Sequence, residues 1–578
     1  MALQTDTVVS DAQRPIRFGV MLDGPFLLEW QARCIREVLR TEDAELALLI
    51  LNDGASTPRK RLRLPRVRAD RALYSAYRRF FLRPQSRVRV GLGDMFERVP
   101  SISCKVRLKG KFSQYFAPED VSAIRSHSLD FILRFGFNII RGETLQAARY
   151  GVWSFHHDDE EKYRGGPPCF WEIYNRDPVT GAVLQRLTDR LDGGVILKKG
   201  YFKTLDHSYA ASLDSVYFEA AKWPAQVCRD IRLGTAEYMD APPSRTSAPV
   251  YHSPNNLQML LFLRTLLVNN LRRGYVGFFR RAQWNIGIIH APIQSLLEPH
   301  CRPHVEWLPR PSRGTFLADP FGVERDGAVH IFAEEFSYQA GRAVVSHIEV
   351  REGREPTRPR PILSPGVHLS YPYTFAHDGE VYCVPESFGA GEVSLYQALN
   401  FPHGWRKVAV LLEGVAGVDA TVFQHDGRWW LPCGKANRNA STKLYAWHAP
   451  ELTGPYTPHL ANPVKIDVRS ARSAGTPFWH EGQLYRPAQD CSSSYGGSVV
   501  INRILRLTPA AFEEERLATV QADPGGPNPD GVHTVSAVGN MTVVDEKRDI
   551  FVRSAFQRTV VRKLRGLAAR LPLPRSAR

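Results

Sequence analysis

The stretch "IRFGVMLDGPFLLEWQARCIREVLRTEDAELALLILND", residues 16–53, decides the fold of the first part of the chain. It opens with an apolar run that ends in a Gly-containing turn. Apolar residues at helical spacing follow, and a second apolar run closes the stretch. A strand, a helix and a strand joined by short links form a βαβ unit, in which the two strands lie parallel in one sheet. The sequence therefore predicts an α/β domain here.

Composition limits the class of protein and its partners. The chain has 578 residues, which is too long for one ordinary domain, and its 43% hydrophobic content is typical of globular proteins. Lys and Arg exceed Asp and Glu by 75 − 59 = 16, so an anionic partner is expected. A phosphorylated substrate, a folate polyglutamate, an anionic membrane and a nucleic acid all satisfy that condition.

Cysteine usage and the amino terminus bear on the compartment. The eight cysteines are dispersed without a CxxC pair, which indicates neither a zinc knuckle nor a disulfide framework. No signal peptide is recognisable at the start of the sequence, and the longest apolar run, "LQMLLFLRTLLV", is too short to span a bilayer. The expected location is the cytoplasm, with peripheral contact at the inner membrane surface through basic segments.

An internal repeat decides the architecture of the second half. Four segments share an apolar strand, a turn with Asp or Glu before Gly, and a second strand. Their turn glycines, Gly327, Gly379, Gly427 and Gly482, are separated by 52, 48 and 55 residues. Hairpins at this period are typical of propeller blades, and "VHTVSAVGNMTVVDEKRDIFVRS" provides a degenerate fifth. The sequence therefore predicts an all-β five-bladed β-propeller.

The predicted organisation has four parts. They are an α/β domain over 15–207 with a basic insertion over about 56–110, a helical connector over 208–281, the propeller over 282–556 and a basic tail over 557–578. Residues 59–89 contain twelve Arg or Lys and one acid, and they form either a solvated basic surface or a contact with lipid, phosphorylated substrate or RNA. The connector either packs on the domains or lies on a membrane surface.

The motif "GVWSFHHDDEEKYRGGPP", residues 151–168, carries the candidate chemistry of the first half. It follows a predicted strand, and ligands of open α/β sheets bind outside the carboxyl ends of strands. His156 and His157 point to opposite faces of that strand, so no metal site is expected. One imidazole facing the crevice can move a proton near neutral pH. Downstream, Asp192 stands in a turn before two glycines in "LDGGVIL".

These two motifs resemble the N10-formyltetrahydrofolate-dependent formyltransferase family, which has a Rossmann-like α/β fold. The resemblance covers about residues 15–205 and implies N10-formyltetrahydrofolate as the formyl donor. It puts His156 in the place of the catalytic histidine and Asp192 in that of the catalytic aspartate. It also implies that Phe135 borders the folate pocket. The substrate loop implied by the family comprises Tyr163, Arg164, Gly165, Gly166 and Pro168.

Ser154 departs from the family pattern, which has an asparagine there. In the family that amide helps to hold the formyl oxygen, and losing one such donor costs roughly a hundredfold to a thousandfold in rate. Ser154 therefore implies a slower enzyme, a rearranged donor or a different reaction. The acids over 158–161 form either a solvated charge run or a cradle for a cationic amine substrate.

Equivalent polar residues of the predicted blades should converge on the propeller axis. Before the turns stand Asp319, Tyr371 and Asp419, and seven residues after the turn glycines stand Glu334, Glu386, Gly434 and Gln489. Asp490 and His533 are further candidates. Such an array suits a carbohydrate.

The predicted propeller is similar to five-bladed glycosidases, in which paired carboxylates act as acid and base. The candidate trio is Asp319, Asp419 and Glu386. Residues 282–555 more closely resemble the propeller-like domain of plant glucosamine inositolphosphorylceramide transferases. Binding, glycosidase-like and purely structural roles all remain open.

The predicted function is formyl transfer from N10-formyltetrahydrofolate to the amine of a sugar or glycoconjugate intermediate, with the propeller recognising the carbohydrate. Two alternatives belong to other classes. One is a carbohydrate-binding or glycoside-processing propeller beside an inactive formyltransferase-like domain. The other is an RNA-directed, methionyl-tRNA-like formyltransferase, which would account for the basic segments.

Overall fold

A computed structural model describes residues 14–24, 26–41, 43–53, 68–91, 93, 96–110, 112–190, 193–298, 303–437 and 439–552. The chain divides into two compact units, residues 1–267 and 268–578, with the boundary inside a long helix. Asp192, part of the basic insertion and the predicted basic tail lie outside the described residues. None of the described helices combines the length and the apolar composition needed to cross a membrane.

The described strands of the first unit are β1 (Ile16–Leu22), β2 (Phe26–Leu28), β3 (Ala44–Asn52), β4 (Arg89–Gly91), β5 (Ser101–Cys104), β6 (Val106–Lys109), β7 (Ser113–Phe116), β8 (Phe131–Arg134), β9 (Ile139–Arg141), β10 (Val152–His156), β11 (Arg164–Gly165), β12 (Val179–Arg186), β13 (Val195–Lys203) and β14 (Val250–Tyr251). The described α-helices are α1 (Glu29–Leu39), α2 (Ala72–Phe80), α3 (Pro118–Ser126), α4 (Phe170–Asn175), α5 (Tyr209–Ala220), α6 (Trp223–Arg232) and α7 (Asn256–Phe279), the last of which crosses the boundary. The described 3-10 helices of the whole chain are Ala69–Arg71, Gln85–Arg87, Gly142–Gln146, Glu237–Asp240, Ile293–Leu297 and Phe388–Ala390.

A seven-stranded sheet forms the centre of the first unit, in the order β13-β12-β10-β8-β1-β3-β5. Strand β1 pairs in parallel with β3 and β8, and β8 pairs in parallel with β10. The βαβ unit predicted from residues 16–53 is therefore confirmed. Strands β12 and β13 are antiparallel to their neighbours and extend the sheet beyond β10. The rings of Phe18, Phe131 and Trp153 stack across three adjacent strands and are fully buried.

The described strands of the second unit are β15 (Arg280–Ile289), β16 (Val305–Trp307), β17 (Thr315–Arg325), β18 (Ala328–Ser337), β19 (Arg342–Val350), β20 (Arg360–Leu363), β21 (Ser370–His377), β22 (Glu380–Glu386), β23 (Val393–Asn400), β24 (His403–Leu412), β25 (Gly417–Val418), β26 (Phe423–His425), β27 (Arg428–Lys435), β28 (Lys443–Ala449), β29 (Thr457–Pro458), β30 (Lys465–Ile466), β31 (Phe478–His480), β32 (Gln483–Asp490), β33 (Ser498–Leu507), β34 (Phe512–Val520), β35 (Gly531–Val538) and β36 (Met541–Phe551).

These strands form five antiparallel sheets, four of them consecutive along the chain from β17 to β34. The fifth sheet has the order β16-β15-β36-β35 and so unites the first and last strands of the unit. Ten residues of β15, from Arg280 to Ile289, pair with β36. The first and the last described strands of this unit are therefore joined by backbone hydrogen bonds.

The four repeated hairpins are confirmed. They correspond to the pairs β17–β18, β21–β22, β26–β27 and β31–β32, and both turn residues have positive φ in each. Asp326 and Gly327, for example, have φ of 53° and 67°. Two consecutive positive φ values are typical of type I′ turns, whose twist matches that of paired strands. The degenerate fifth hairpin is β35–β36, with Gly539 at φ 57°.

Candidate functional site

His156 ends β10, and its ring is held in one orientation by the backbone. Its Nε2 lies 2.8 Å from the carbonyl oxygen of Tyr163. Because a carbonyl can only accept, Nε2 must carry the hydrogen, and the lone pair of the neutral ring is at Nδ1. The half-buried imidazole therefore presents a base at Nδ1. Asp192, predicted to orient this ring, lies outside the described residues.

A polar row crosses three strands beside His156. Ser154 pairs with Gln185 on β12, and the parallel register of β10 and β8 puts Arg134 level with Ser154. The guanidinium of Arg134 donates to Ser154 Oγ from Nε at 3.1 Å and from Nη2 at 2.8 Å. Residues level with one another on neighbouring strands share a face, and Ser154 shares its face with His156 two positions on. We call Arg134, Ser154 and Gln185 the polar row.

The polar row orients two hydrogen-bond donors. The two contacts from Arg134 occupy the lone pairs of Ser154 Oγ, so the hydroxyl hydrogen of Ser154 is directed away from the guanidinium. The side-chain oxygen of Gln185 accepts from the backbone N–H of Gly194 at 3.3 Å, which fixes the amide plane. Gly194 belongs to the "LDGG" motif, so the described end of that motif is attached to the polar row. Sequence reasoning missed Arg134 and Gln185, because neither lies in a recognisable motif.

His157 lies in an aromatic cluster rather than beside His156. Its ring stacks on Tyr217 at 3.7 Å between centroids, and Trp30 contacts it at 5.0 Å. Burial, together with the charges of His156 and Arg87, holds the pKa of His157 well below its usual range, so the ring is neutral. Phe135, predicted to border the folate pocket, packs against Trp30 in the same cluster.

The acids after the histidines are mostly buried, and the solvated charge run is wrong for three of them. Asp158, Asp159 and Glu160 are each at most 5% exposed, and only Glu161 is exposed. The ammonium of Lys199 lies 3.2 Å from Asp159, 2.9 Å from Glu160 and 3.1 Å from Glu161. The expected cradle for a cation is therefore filled by this chain's own lysine. Burial alone would lower the pKa of Lys199, but Tyr201 and the acids raise it.

The loop that follows is attached to a distant segment of the same unit. Arg164 and Gly165 form β11, which pairs in parallel with β14. Tyr163 is buried against Tyr251, with ring centroids 5.3 Å apart. Gly165 has a φ of 87°, and a Cβ there would lie 2.3 Å from the carbonyl oxygen of Tyr251. The loop from Tyr163 to Pro168 thus has a defined position, and its predicted role around the substrates stays a prediction.

A cavity of about 660 Å³ lies at the start of β10, at the opposite end from His156. Leu187, which donates its N–H to the carbonyl of Val152 at 2.8 Å, continues the β10–β12 ladder into the cavity wall. The lining is rich in arginine and in backbone, and comprises Arg125, Ser128, Leu129, Gly142, Leu145, Gln146, Ala147, Ala148, Arg149, Gly151, Arg186, Leu187, Thr188 and Asp189. Its volume is in the range of small-molecule sites.

In the second unit, three residues predicted from the repeat share an unusual backbone conformation. Asp319, Tyr371 and Asp419 have φ of 49°, 43° and 51°. The pairing register is interrupted beside Asp319 and beside Tyr371, so the strands kink there. Non-glycine residues at positive φ are costly and cluster at functional sites. The residues after the turns also match, because Glu334 pairs with Ala318, Glu386 with Ser370 and Gly434 with Val418.

Hydrogen bonds connect these residues into one buried cluster. Tyr371 N donates to Asp319 at 3.2 Å, and Asp419 N donates to Glu386 at 3.0 Å. Asp545 accepts from Asp319 N at 2.8 Å and pairs with the imidazole of His533 at 2.7 Å. We call this group the carboxylate cluster; its members are Asp319, Glu334, Tyr371, Glu386, Asp419, His533 and Asp545. Sequence reasoning missed Asp545, because the fifth hairpin lacks the repeated turn signature.

Cations partly balance the acids of the carboxylate cluster. The guanidinium of Arg472 lies 2.5 Å from Asp419. Burial still raises the pKa of Asp419 to about 7, with Arg472 opposing the shift. Burial and the neighbouring Asp319 and Glu386 raise the pKa of Glu334 well above its usual range. Burial would lower the pKa of His533, but Asp545 and Asp319 raise it. The cluster therefore holds protonated and ionised groups together near neutral pH.

One predicted member, Asp490, has other surroundings. Asp490 accepts from the backbone and hydroxyl of Ser492, at 3.0 and 2.5 Å, and lies 3.8 Å from Arg516. The structure therefore does not connect Asp490 to the carboxylate cluster through these bonds. The neighbouring Gln489 reaches it, because its amide donates to Asp419 at 3.4 Å.

Comparison with known proteins finds relatives of two kinds. The family model for "Glucosamine inositolphosphorylceramide transferase 1, N-terminal" matches residues 309–526. The glucosamine inositolphosphorylceramide transferase 1 of Arabidopsis thaliana is 33% identical over 208 residues, which are 34% of this chain and 27% of that protein. The methionyl-tRNA formyltransferase of Agathobacter rectalis is 30% identical over 121 residues, which are 21% of this chain and 39% of that protein.

This chain joins a formyltransferase-like domain to a domain related to the plant transferases. It spans about a quarter of the length of the Arabidopsis relative and less than half of the bacterial one.

Solved structures of a glycoside hydrolase and of a formyltetrahydrofolate deformylase are also similar to parts of this chain. A family 117 glycoside hydrolase of Zobellia galactanivorans is 12% identical, covering 46% of this chain and 90% of its own, with a TM-score of 0.31. A formyltetrahydrofolate deformylase of Pseudomonas syringae is 15% identical, covering 39% of this chain and 64% of its own, with a TM-score of 0.27. The relatives named above by sequence similarity are transferases.

Proposed function

We propose that this protein transfers a formyl group from N10-formyltetrahydrofolate to the amine of a sugar or glycoconjugate, and that the second unit recognises the carbohydrate. The observation that carries the proposal is the polar row beside His156. It puts two oriented donors and one base on the same face of the sheet, in the unit whose motifs over residues 151–168 and 191–197 resemble those of the formyltransferases.

The polar row provides hydrogen-bond donors to the formyl oxygen in place of the asparagine amide that the family has at position 154. A formyl oxygen gains negative charge when an amine attacks its carbon, and preorganised donors stabilise that charge. The hydroxyl of Ser154 is polarised by the cation of Arg134, and the Gln185 amide lies directly across the strand pair. His156 accepts a proton from the attacking amine at Nδ1 while Nε2 stays bonded to Tyr163. The attacking nitrogen would form the new C–N bond to the formyl carbon, and the proton taken up at Nδ1 would then pass to the donor nitrogen as its own bond to that carbon breaks.

A folate would supply the formyl group when bound, and that group must lie beside the polar row and His156 to react. The cavity at the start of β10 lies at the opposite end of the strand from His156, and Arg125 in its lining is already paired with Glu143 at 3.2 Å. The folate site is therefore proposed beside the polar row, outside this cavity.

The carbohydrate assignment rests on the carboxylate cluster. We infer that the five sheets are blades of a β-propeller, since the first and last strands of the unit share one sheet. Matched residues of successive sheets would then face a common axis. Buried carboxylates and a tyrosine hydroxyl are the groups that hydrogen-bond sugar hydroxyls.

A screen of nucleotide-linked and lipid-linked amino sugars with N10-formyltetrahydrofolate tests the proposal. Mass spectrometry should show the gain of one formyl group on the acceptor. We expect His156→Gln to lower the rate by a factor of about a hundred to ten thousand, because it removes the base. Equal rates in wild type and His156→Gln, or no folate binding in a titration, would refute the proposal.

A second candidate function is glycoside processing by the second unit. The raised pKa of Glu334 and Asp419 favours it, since glycosidic bond cleavage needs a protonated carboxyl beside an ionised one. Release of reducing sugar from glycoside substrates, lost in Asp319→Asn and kept in His156→Gln, would support this candidate. Charged initiator tRNA offered with the formyl donor should give no product, whereas formylation of it would favour the RNA-directed alternative.

A further inference from the structure

The first unit carries an apolar surface with arginines on it. Helices α2 and α7 lie side by side, because the side chain of Asn256 accepts from Leu73 N at 3.0 Å and donates to the carbonyl of Ala69 at 2.7 Å. Both cover one aromatic core, since Tyr74 and Phe262 each contact Phe170. The inward side of this helix pair is therefore packed against the aromatic core, and its outward side forms the apolar surface that carries the arginines.

The outward side of α7 is apolar at helical spacing. Met259 and Phe262 are fully buried, whereas Leu257, Leu260 and Leu267 are 66%, 54% and 61% exposed. Such a helix, apolar on both faces, normally has its outer face covered as well. Isolated exposed leucines need no explanation, but a contiguous set of large apolar residues indicates an interaction site.

Two exposed phenylalanines lie at the end of helix α2: Phe80 is its last residue and Phe81 follows it. Phe80 is 64% exposed and Phe81 is 74% exposed. Arg78 and Arg79 precede them, and Arg83 follows. These three arginines and Arg264 on α7 are all exposed, so their charge faces solvent. Exposed phenylalanine and leucine beside exposed arginine are typical of surfaces that lie in the interface of an anionic bilayer.

We propose that this face, formed by residues 78–83 and the outward side of 257–267, docks on an anionic lipid membrane. The apolar side chains enter the boundary between headgroups and acyl chains, and the arginines contact lipid phosphates. A nucleic acid would use the arginines but would have no partner for the exposed leucines of α7. A second copy of this chain would bring the same arginines together and repel. The proposal concerns a surface, and it does not depend on formyl transfer.

Vesicle flotation of the full-length protein tests the docking surface. The probes are vesicles of phosphatidylcholine alone and of phosphatidylcholine mixed with phosphatidylserine. We expect binding to the mixed vesicles that weakens with added salt, and little binding to phosphatidylcholine alone. The double variant Phe80→Ser/Phe81→Ser should bind at least about tenfold more weakly. Each of Arg78→Gln and Arg79→Gln should reduce binding about fivefold.

Controls separate docking from misfolding and from other partners. Leu108 on β6 is 59% exposed outside this surface, so Leu108→Ser should bind vesicles like wild type. Equal binding of the phenylalanine variant and wild type would overturn the proposal, and so would equal binding to both vesicle types. A dimer in light scattering that the same variant dissociates would overturn it in favour of a second copy. Nucleic-acid binding lost only with the arginines, without vesicle binding, would overturn it in favour of nucleic acid.

Discussion

At the residue scale, Gln185 determines whether a rearranged donor replaces the family asparagine. Its oxygen is held by Gly194, so its amide nitrogen remains to donate beside Ser154. We expect Gln185→Ala to lower kcat of formyl transfer by roughly a hundredfold with little change in KM, since the donor acts on developing charge. Gln226→Ala, on α6, is the matched control. An unchanged kcat in Gln185→Ala would show that Ser154 acts without the cross-strand amide.

Glu172 is a buried carboxyl with an expected pH signature. Burial, followed by the charge of Asp158, raises its pKa well above the usual range, and burial raises the pKa of Asp158 to about 6. The folded state keeps a proton that the unfolded state loses above about pH 4. The free energy of unfolding of the first unit should therefore fall as the pH rises from about 4 toward the raised pKa of the folded state. Glu172→Gln, which imitates the protonated form, should stabilise the first unit at pH 8 and have little effect near pH 4.

Hydrogen exchange of peptides within residues 152–203 during urea unfolding measures this effect on the first unit alone. Glu161→Gln changes an exposed acid of the same motif and should leave the pH profile unchanged. A stabilisation by Glu172→Gln that is equal at pH 4 and pH 8 would contradict the assignment of the proton to this carboxyl.

At the element scale, the ammonium of Lys199 on β13 forms ion pairs with the acidic segment 159–161. Gly181 on β12 permits this close packing, because a Cβ there would lie 2.7 Å from Asp159 Cα. Lys199→Met should destabilise the first unit by about 3–5 kcal/mol, since Asp159 and Glu160 would be left buried without a partner. Lys199→Arg keeps the charge and should lose much less. Urea unfolding checks both variants, and equal stability of Met and Arg variants would contradict this account.

The same elements show what the sequence could predict. The hairpins were predictable because an acid followed by Gly imposes positive φ locally, as at Asp326 and Gly327. The burial of Asp159 was not predictable, because its partner Lys199 is forty residues away on another strand. Arg134 likewise joins Ser154 only through the register of β8 and β10. A single sequence therefore predicts local turn conformation, but it does not predict which strands pair with one another.

At the scale of the whole molecule, charge and chemistry are distributed differently. The chain has a net charge of +16, yet both candidate sites contain buried acids with raised pKa values. The excess of basic residues therefore acts through surfaces such as the docking surface of α2 and α7. The buried acids act at short range, on protons and on hydroxyl groups. Such a charge distribution attracts an anionic surface or substrate over a long range, whereas the buried acids form hydrogen bonds with the partner's uncharged groups only on contact.

This division predicts that the two units fail separately in the full-length protein. Asp319→Asn should raise KM for the sugar acceptor by about ten- to a hundredfold, because a carboxylate hydrogen bond to a hydroxyl is lost, and should leave folate affinity unchanged. His156→Gln should lower turnover by a factor of about a hundred to ten thousand and leave sugar affinity unchanged. Calorimetric titration of both ligands into both variants gives four affinities. Loss of folate binding in Asp319→Asn would mean that the carboxylate cluster supports the first unit, and the separate roles proposed for the two units would be wrong.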